Sequence, residues 1–347
     1  MEIRVYTPEL KFLGVIESFK SLIWRRKYYE PGQFELHAPG TKENIELLKA
    51  GNIITKRGSK EAGVIGEFKD TEKGRDSQII RKGYFLSVYL DRRLIKTTVT
   101  FNGTYENAMR HLVTQVTPIP LLELGKLNNY KETARLQVTY KQLGTYLTKI
   151  AKCSGLGYRI RPDFKTKKLY FEVYSGVDHT TKQKEEPHVI FSGKYENLNK
   201  VDYAANDNKY KNKFYIGGQG EGKDRIVEIL DYGATGTDLR EVFIDAKDLK
   251  QGDLTEQQYR EVLRQRGKEK AENFKRYESM EAEVADTNFK YKVHWDLGDK
   301  VTALKKEWGL TLHKRITEVE EVYENGGITI TPVLGNIQPD TIDLSEE

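Results

Sequence analysis

The chain contains the run Gly217-Gly-Gln-Gly-Glu-Gly222-Lys223-Asp224, which has the spacing of a phosphate-binding loop. In such a loop, glycine amides surround the phosphates and a final Ser or Thr binds Mg²⁺. Asp224 occupies that final position and would place negative charge beside the phosphates. Residues 225–230 then alternate as a strand, whereas phosphate binding needs a helix whose N-terminal amides face the ligand. We therefore interpret this run as a hairpin loop.

Cys153 is the only cysteine of the chain and lies near the end of a predicted helix, just before Gly155. Nucleophilic cysteines need a positive environment, such as a helix N-terminus or a paired histidine. The C-terminal end of a helix has the opposite partial charge. We therefore predict a structural thiol. A single cysteine also excludes a disulfide within one chain, which indicates folding in a reducing cytoplasm.

The six histidines lack the close spacing that is typical of zinc sites: His37, His111, His179, His188, His294 and His313. The sequence has no Gly-x-Ser-x-Gly elbow and no His-Glu-x-x-His helix. Asp296 and Asp299 flank Gly298, but two acids are too few for a calcium loop, and a tight turn explains them. No pair of acids indicates glycan cleavage. We predict no catalytic, cofactor-binding or metal-binding residue, no cofactor, and no enzymatic activity.

Three segments mix basic and aromatic residues: 24–29, 209–214 and the pair Arg92 and Arg93. Such mixtures can stack nucleic-acid bases and neutralise phosphates. However, successive residues of a strand point to opposite faces, so these groups need not share one. We favour solvated faces or subunit contacts over nucleic-acid readout, and we interpret the charged helix at 257–275 as a solvated face too.

Composition agrees with a mixed surface. The 57 lysines and arginines nearly balance 52 acids, for a net charge of +5, unlike the basic field of a protein that mainly grips DNA. A length of 347 residues predicts two or more domains. Apolar runs are far shorter than the roughly 20 residues that span a bilayer. Met1 is followed directly by an alternating strand at 2–6, so we expect no signal peptide.

Period-two alternation predicts many strands before residue 95, at 2–6, 11–17, 22–28, 32–38, 53–57, 61–69 and 78–89. Thr41 is the predicted cap of one helix at 42–50. Many short strands with one helix suggest a barrel or a sandwich. This first β-rich domain covers 1–95.

An α+β domain follows at 96–188. Its two amphipathic helices begin behind Thr104 and Thr139, Gly155 ends the second, and a hairpin joins 158–161 to 169–174. Residues 178–186 are a predicted loop.

The β pattern returns at 189–246 and 279–335, with strands at 200–205, 211–216, 225–230, 241–245 and 279–285. A helical insertion at 247–278 separates the two parts, and a Thr255–Gln258 capping box begins its helix, which we expect to reach about Tyr277. A hairpin is predicted at Asn325-Gly326-Gly327. The tail at 336–347 is acidic and expected to be flexible. Two β-rich parts around an α+β part indicate one module used twice.

Several local patterns carry a family resemblance through their order along the chain. They are Gly32-Gln-Phe-Glu-Leu-His-Ala38, Gly51-Asn-Ile-Ile-Thr-Lys56, Gly83-Tyr-Phe-Leu-Ser-Val-Tyr-Leu-Asp-Arg-Arg-Leu-Ile95, Gly103-Thr-Tyr-Glu-Asn-Ala-Met-Arg-His-Leu-Val113, Glu241-Val-Phe-Ile-Asp-Ala246 and the stretch 286–335. Over most of its length, the chain resembles the siphophage or prophage tail-hub (baseplate hub) family.

The resemblance implies an α+β, β-rich fold with two β-barrel-like domains, an inserted small α+β domain and a helical insertion. It also implies a homotrimer whose barrels form a ring of six around a channel, docked on a six-fold distal tail ring protein. The partners would be that ring and tail tip or fibre proteins. The chain would be made in the host cytoplasm, reside in the virion tail, and form part of the genome-ejection conduit.

Relatives often carry a C-terminal peptidase or receptor-binding part, whereas this sequence stops at Glu347, so a lytic role is not implied. Two alternatives stay open from the residues alone. One is a tail-associated cell-wall hydrolase, and the other is a cytoplasmic nucleic-acid-binding protein.

Overall fold

The computed structural model describes residues 1–73, 76–285 and 287–336. The predicted acidic tail at 336–347 lies outside this range from residue 337 onward, and so does residue 286 at the start of the stretch 286–335. Strands predominate over helices in the described residues, which confirms the β-rich class.

In β3 and β4 of the first β region, buried side chains alternate with partly exposed ones, as a sheet with one buried face requires. Thr41 accepts a hydrogen bond from the Asn44 amide at 3.2 Å, which confirms the predicted helix cap. The strand predicted at 78–89 ends at Phe85, because Leu86 and Leu90 are buried four residues apart on a short helical turn. The elements are β1 (Ile3–Tyr6), β2 (Phe12–Ile16), β3 (Ser21–Lys27), β4 (Gln33–Pro39), α1 (Lys42–Leu47), β5 (Ile53–Lys56), β6 (Gly63–Lys73) and β7 (Asp76–Phe85).

The α+β region contains both predicted helices. Its elements are α2 (Val88–Asp91), β8 (Leu94–Ile95), β9 (Val99–Thr104), α3 (Tyr105–Thr114), β10 (Leu122–Leu124), β11 (Thr133–Val138), β12 (Lys141–Gln142), α4 (Leu143–Ser154), β13 (Gly157–Asp163) and β14 (Lys168–Tyr174). Thr104 caps α3, and Gly155 ends α4 with a φ of 71°, as predicted. Thr139 does not cap α4, because β12 pairs with β8 first and the helix begins after Gln142.

The second β region resumes after the predicted loop. The elements are β15 (Ile190–Ser192), β16 (Asn199–Asn206), β17 (Lys213–Gly217), β18 (Val227–Asp231), β19 (Glu241–Asp245), α5 (Glu256–Ala271), β20 (Tyr277–Glu283), β21 (Lys300–Lys305), β22 (Leu310–Glu324) and β23 (Gly327–Gly335). Thr255 and Gln258 form the predicted capping box. The helix ends at Ala271, before Tyr277, because a 3₁₀ turn follows it. β22 and β23 form the predicted hairpin.

Strands β17, β18 and β19 form a separate three-stranded sheet that packs against α5. Phe214 and Ile216 on the inner face of β17 meet Tyr259 and Leu263 of α5 in a core of their own. The sequence assigned these strands to the second β-barrel-like domain and the helix to an insertion. In the structure the strands and the helix form one unit, inserted between β16 and β20, because their apolar faces cover each other.

One long sheet runs through both β regions, in the order β16-β20-β23-β22-β3-β4-β7-β6-β5-β1-β2, and β21 and β15 extend it from β22. The outer edge of β3 pairs with β22, so the first region continues into the second instead of closing on itself. No closed barrel is found among the described residues. The expectation of two barrels is therefore not confirmed.

The two β regions repeat a strand order. The first runs β3-β4-β7-β6-β5-β1 and the second runs β16-β20-β23-β22-β21-β15. The final pair differs, because β1 is antiparallel to β5 whereas β15 is parallel to β21. The shared order supports the interpretation of one module used twice.

Tyr28, directly after β3, holds three regions together. Its buried hydroxyl lies within hydrogen-bonding distance of two carbonyl oxygens, that of Gly155 at 3.1 Å and that of Tyr174 at 3.2 Å. Gly298 lies against its ring with a φ of 97°, and a Cβ there would collide with ring carbons. Glycine is therefore required at this turn both for its backbone conformation and for space.

The first prediction concerns Gly298→Ala. We expect it to lower the free energy of unfolding by roughly 3 kcal/mol, because left-handed strain costs about 1–2 kcal/mol and overpacking costs about 1–3 kcal/mol. Gly309 is the matched control, since it has a φ of 61° but open space around the Cβ position. Gly309→Ala should lose only the strain, about 1–2 kcal/mol. Chemical denaturation measures both, and equal losses would refute the packing role of Tyr28.

Candidate assembly surface

Strands β3 and β22 pair antiparallel from Lys27 opposite Glu318 to Ser21 opposite Glu324. We call this pairing, with the charged side chains buried beneath it, the strand junction. Alternation sends Trp24 and Arg26 to the buried face and Arg25 to the other. The junction therefore combines backbone pairing with buried ions.

Arg26 is 3% exposed and contacts residues from both β regions. Its guanidinium lies 2.8 Å from a carboxylate oxygen of Glu61 and 2.5 Å from one of Asp296. It also donates to the Tyr291 hydroxyl at 2.7 Å. Burial alone would raise the pKa of Glu61, but Arg26 lowers it to about 2, so both groups are charged.

Glu321 is fully buried beside this cluster. The ammonium groups of Lys56 and Lys292 lie 2.6 Å and 3.1 Å from its carboxylate oxygens. The hydroxyls of Tyr291 and Tyr323 donate to the same carboxylate. Burial would raise the pKa of Glu321, but the two lysines hold it below its ordinary value. Burial lowers the pKa of Lys56 to about 8, despite the attraction of Glu321.

The opposite face of the junction carries partly exposed ion pairs. Arg25 pairs with Glu320, and the ammonium group of Lys27 lies 3.6 Å from Glu318. Water screens such pairs, so each contributes about 0–1 kcal/mol. The buried charges, and not these, determine which strands can meet here.

Strand β16 is an open edge of the long sheet. Among the described strands it pairs only with β20, and six of its eight residues are exposed. Tyr203, Ala204 and Ala205 are among the exposed ones. A strand with an unpaired edge and apolar groups on its surface is a ready template for another strand.

Strand β6 has no neighbour along part of one edge among the strands that the structure describes. It pairs with β5 only through Gly63 and Val64, whereas its pairing with β7 continues to its end. Phe68, in the open part, is 58% exposed, and the Arg81 guanidinium lies 5.4 Å from the centre of its ring. In the described part of the chain, β2 pairs only with β1, so its other edge is open as well, and its Phe12 is 57% exposed.

The glycine-rich run at 217–224 connects β17 to β18, which pair as antiparallel neighbours. This confirms the hairpin interpretation. Arg225 donates to the Gly217 and Gly218 carbonyl oxygens and pairs with Asp245 at 2.7 Å, so groups of this chain already bind the Arg225 guanidinium.

Cys153 lies partly buried beneath α5. Its sulfur is 3.5 Å from the Tyr105 hydroxyl and 3.9 Å from the Gln265 side-chain nitrogen. Burial raises the pKa of Cys153 to about 11. At neutral pH this leaves a thiol, which favours the structural interpretation.

The two acids that flank Gly298 stabilise the local turn. Asp299 accepts hydrogen bonds from the amides of Val177 and Asp296, each at 2.7 Å, so the two acids shape the predicted turn. The described residues contain no cluster of three or more His, Cys, Asp and Glu side chains placed to hold a metal ion. Within the same residues, no helix is both long enough and apolar enough to cross a membrane.

Residues of the basic and aromatic segments make contacts within the fold. Trp24 and Tyr28 are fully buried. In the segment 209–214, the Tyr210 ring lies beneath the guanidinium groups of Arg240 and Arg276, at 5.6 Å and 4.6 Å. Arg93 donates to the Thr117 carbonyl oxygen at 2.9 Å.

The sequence interpretation missed the buried ion cluster. Its signal is the position of Arg26, which shares a strand face with Trp24 and Tyr28. A charged residue on an apolar face requires a buried partner. The partners could not be identified, because Glu61 and Asp296 are 35 and 270 residues away.

The second prediction compares neighbours on β22. Glu321→Gln should lower the free energy of unfolding by about 3–5 kcal/mol, because it leaves Lys56 buried without a counter-charge. Glu320→Gln, on the partly exposed face, should cost less than about 1 kcal/mol. Chemical denaturation of both variants distinguishes them. Equal small losses would show that the buried ions do not stabilise the junction.

The third prediction concerns pH and Glu61. Its folded-state pKa of about 2 lies below the ordinary value of 4.5. The stability it contributes is therefore complete above pH 4.5 and is lost as the pH falls toward 2. The stability difference between wild type and Glu61→Gln should shrink over that window in denaturation curves measured at each pH. A constant difference would contradict the assignment.

Solved structures of low sequence identity share this fold. A tail protein from Neisseria meningitidis MC58 matches with a TM-score of 0.63 and 14% identity, over 96% of both chains. The 43 kDa tail protein of prophage MuSo2 from Shewanella oneidensis matches with a TM-score of 0.60 and 13% identity, over 98% of this chain and 99% of that one. Prophage tail protein gp18 from Listeria monocytogenes EGD-e has a TM-score of 0.59 and 14% identity, over 98% and 96%.

No curated protein matches the sequence. The family model of the Siphovirus ReqiPepy6 Gp37-like protein matches residues 2–336, nearly the whole chain. This match confirms the resemblance to siphophage tail proteins that the local patterns indicated. The chain belongs to the family of Siphovirus ReqiPepy6 Gp37-like proteins, a family of phage tail proteins.

Proposed function

We propose that the chain is a structural hub of a phage or prophage tail, in which three copies form a ring between the distal tail ring and the tip or fibre proteins. The ring forms part of the conduit for the genome. The protein acts through assembly and opening, without covalent chemistry, and resides in the virion tail after synthesis in the host cytoplasm.

The observation that carries this proposal is the repeated strand order of the two β regions, joined edge to edge at the strand junction. Three copies, with two such regions each, present a nearly six-fold arrangement to a six-fold tail ring. A ring of identical subunits needs two different surfaces that meet head to tail. Open strand edges at β16, β6 and β2 are available for such contacts.

The proposed ring also implies a division of the chain into domains. The β regions, 1–95 and 189–335 without the α5 unit, are the ring-forming parts. The α+β region at 96–188 joins them, and the unit of β17, β18, β19 and α5 is inserted into the second. The alternative of a cell-wall hydrolase finds no support among the described residues, and zymography on bacterial cell walls tests it.

The fourth prediction concerns the number of copies. Sedimentation equilibrium over a concentration series should fit a monomer–trimer scheme, with a limiting mass of three times the 40.1 kDa monomer. The reason is that each head-to-tail contact leaves an open edge until the ring closes. A stable dimer that does not grow with concentration would contradict the ring.

A further inference from the structure

The two β regions can be aligned residue by residue from their irregularities. The β6–β7 pairing shifts register between Ile65 and Glu67, and the β22–β23 pairing shifts between Ile316 and Glu318. Both bulges fall where the long strand stops pairing with its first neighbour, β5 or β21. Beyond the bulge, the edge that faces away from β7 or β23 is free for a different strand. The bulges therefore mark equivalent positions on β6 and β22.

The alignment extends across each sheet. The β7 and β23 residues opposite Ile65 and Ile316 pair, on their other side, with Phe34 of β4 and Met280 of β20. Phe34 in turn pairs with Trp24 of β3, and Met280 pairs with Tyr203 of β16. Trp24 and Tyr203 are therefore equivalent, and β16 is the counterpart of β3.

The equivalent strands β3 and β16 differ in whether another strand pairs with their outer edge. In the strand junction, Trp24 lies opposite Glu321. Counted from the two bulges, the equivalent of Glu321 is Asp70. The outer edge at Tyr203 and the outer edge at Asp70 have no neighbouring strand among the described residues. One half of the junction is thus present at β16, and the other half is present at β6.

We propose that β16 of one copy pairs antiparallel with the open edge of β6 in the next copy, and that this pairing reproduces the strand junction between subunits. The inherited register places Tyr203 opposite Asp70, Ala204 opposite Lys69 and Ala205 opposite Phe68. This inference rests on the proposed ring and names the surfaces that would hold it together.

The side chains fit this register. Phe68, exposed in one copy, would lie against the small side chain of Ala205 and be removed from water. Asp202 would lie opposite Thr71, so that Lys69 becomes its diagonal neighbour of opposite charge on the same face. Cross-strand pairs of these kinds stabilise antiparallel pairing. Backbone hydrogen bonds along the two edges supply the rest of the contact.

The arrangement uses different edges on the two partners, so it continues from copy to copy until a ring closes. It also covers two of the open edges and leaves β2 free for another tail protein. A two-fold dimer would pair β16 with β16 and leave β6 exposed. The two arrangements therefore make opposite predictions for cross-linking.

The fifth prediction uses introduced cysteines in a Cys153→Ser background, with a short bifunctional thiol reagent. Ala204→Cys and Lys69→Cys are both exposed and would face each other across the contact. A mixture of the two single variants should give cross-linked dimers, whereas either variant alone should give none. The chain carrying both changes should give dimers and closed trimers. As the matched control, Ala204→Cys mixed with Leu13→Cys, on the β2 edge, should give no product.

The outcomes separate this inference from the proposed function. Cross-links between Ala204→Cys and Lys69→Cys support the pairing. A trimer in sedimentation with no such cross-link overturns the pairing but leaves the ring in place. Cross-links of Ala204→Cys alone, or with Leu13→Cys, show a different contact and overturn it. Absence of both trimer and cross-link at every concentration overturns the inference and the ring together.

Discussion

The structure depends on charges buried between two strands that lie far apart in sequence. Arg26 and Glu321 are desolvated at the strand junction, and each is stable there only because partners from both β regions surround it. A buried charge without its partner is costly, so these contacts restrict which strands can meet in this register. Pairing of β3 with β22 in turn joins the two β regions into one sheet.

This constraint explains the asymmetry of the two β regions. They repeat a strand order, yet among the described strands only one of the two equivalent junctions is complete. The edge of β3 is covered, whereas its counterpart β16 is exposed on both faces. An open edge of this length is normally protected in a protein that acts alone. In a tail protein, the same edge is a surface on which a neighbouring copy can complete the repeat.

Local chemistry predicted much of the fold. The caps Thr41, Thr104 and Thr255, the left-handed Gly155 and the hairpin loop at 217–224 depend on residues within a few positions of one another, and the sequence indicates them directly. Thr139 does not cap the helix, because the residues shortly after it form β12 and pair with the distant strand β8. The continuous sheet and the partners of Arg26 depend on contacts across hundreds of residues. Alternation shows that a strand has a buried face, but not which strand lies at its edge.

Each copy contains one complete strand junction and both separate halves of a second one, and in the proposed ring neighbouring copies join those halves. A three-dimensional reconstruction by electron microscopy of tails that contain this protein tests it most directly. We predict three copies per ring, with six β regions and with each β16 continuing into β6 of the next copy. A ring in which β16 is uncovered, or is paired with a different protein, would contradict the claim.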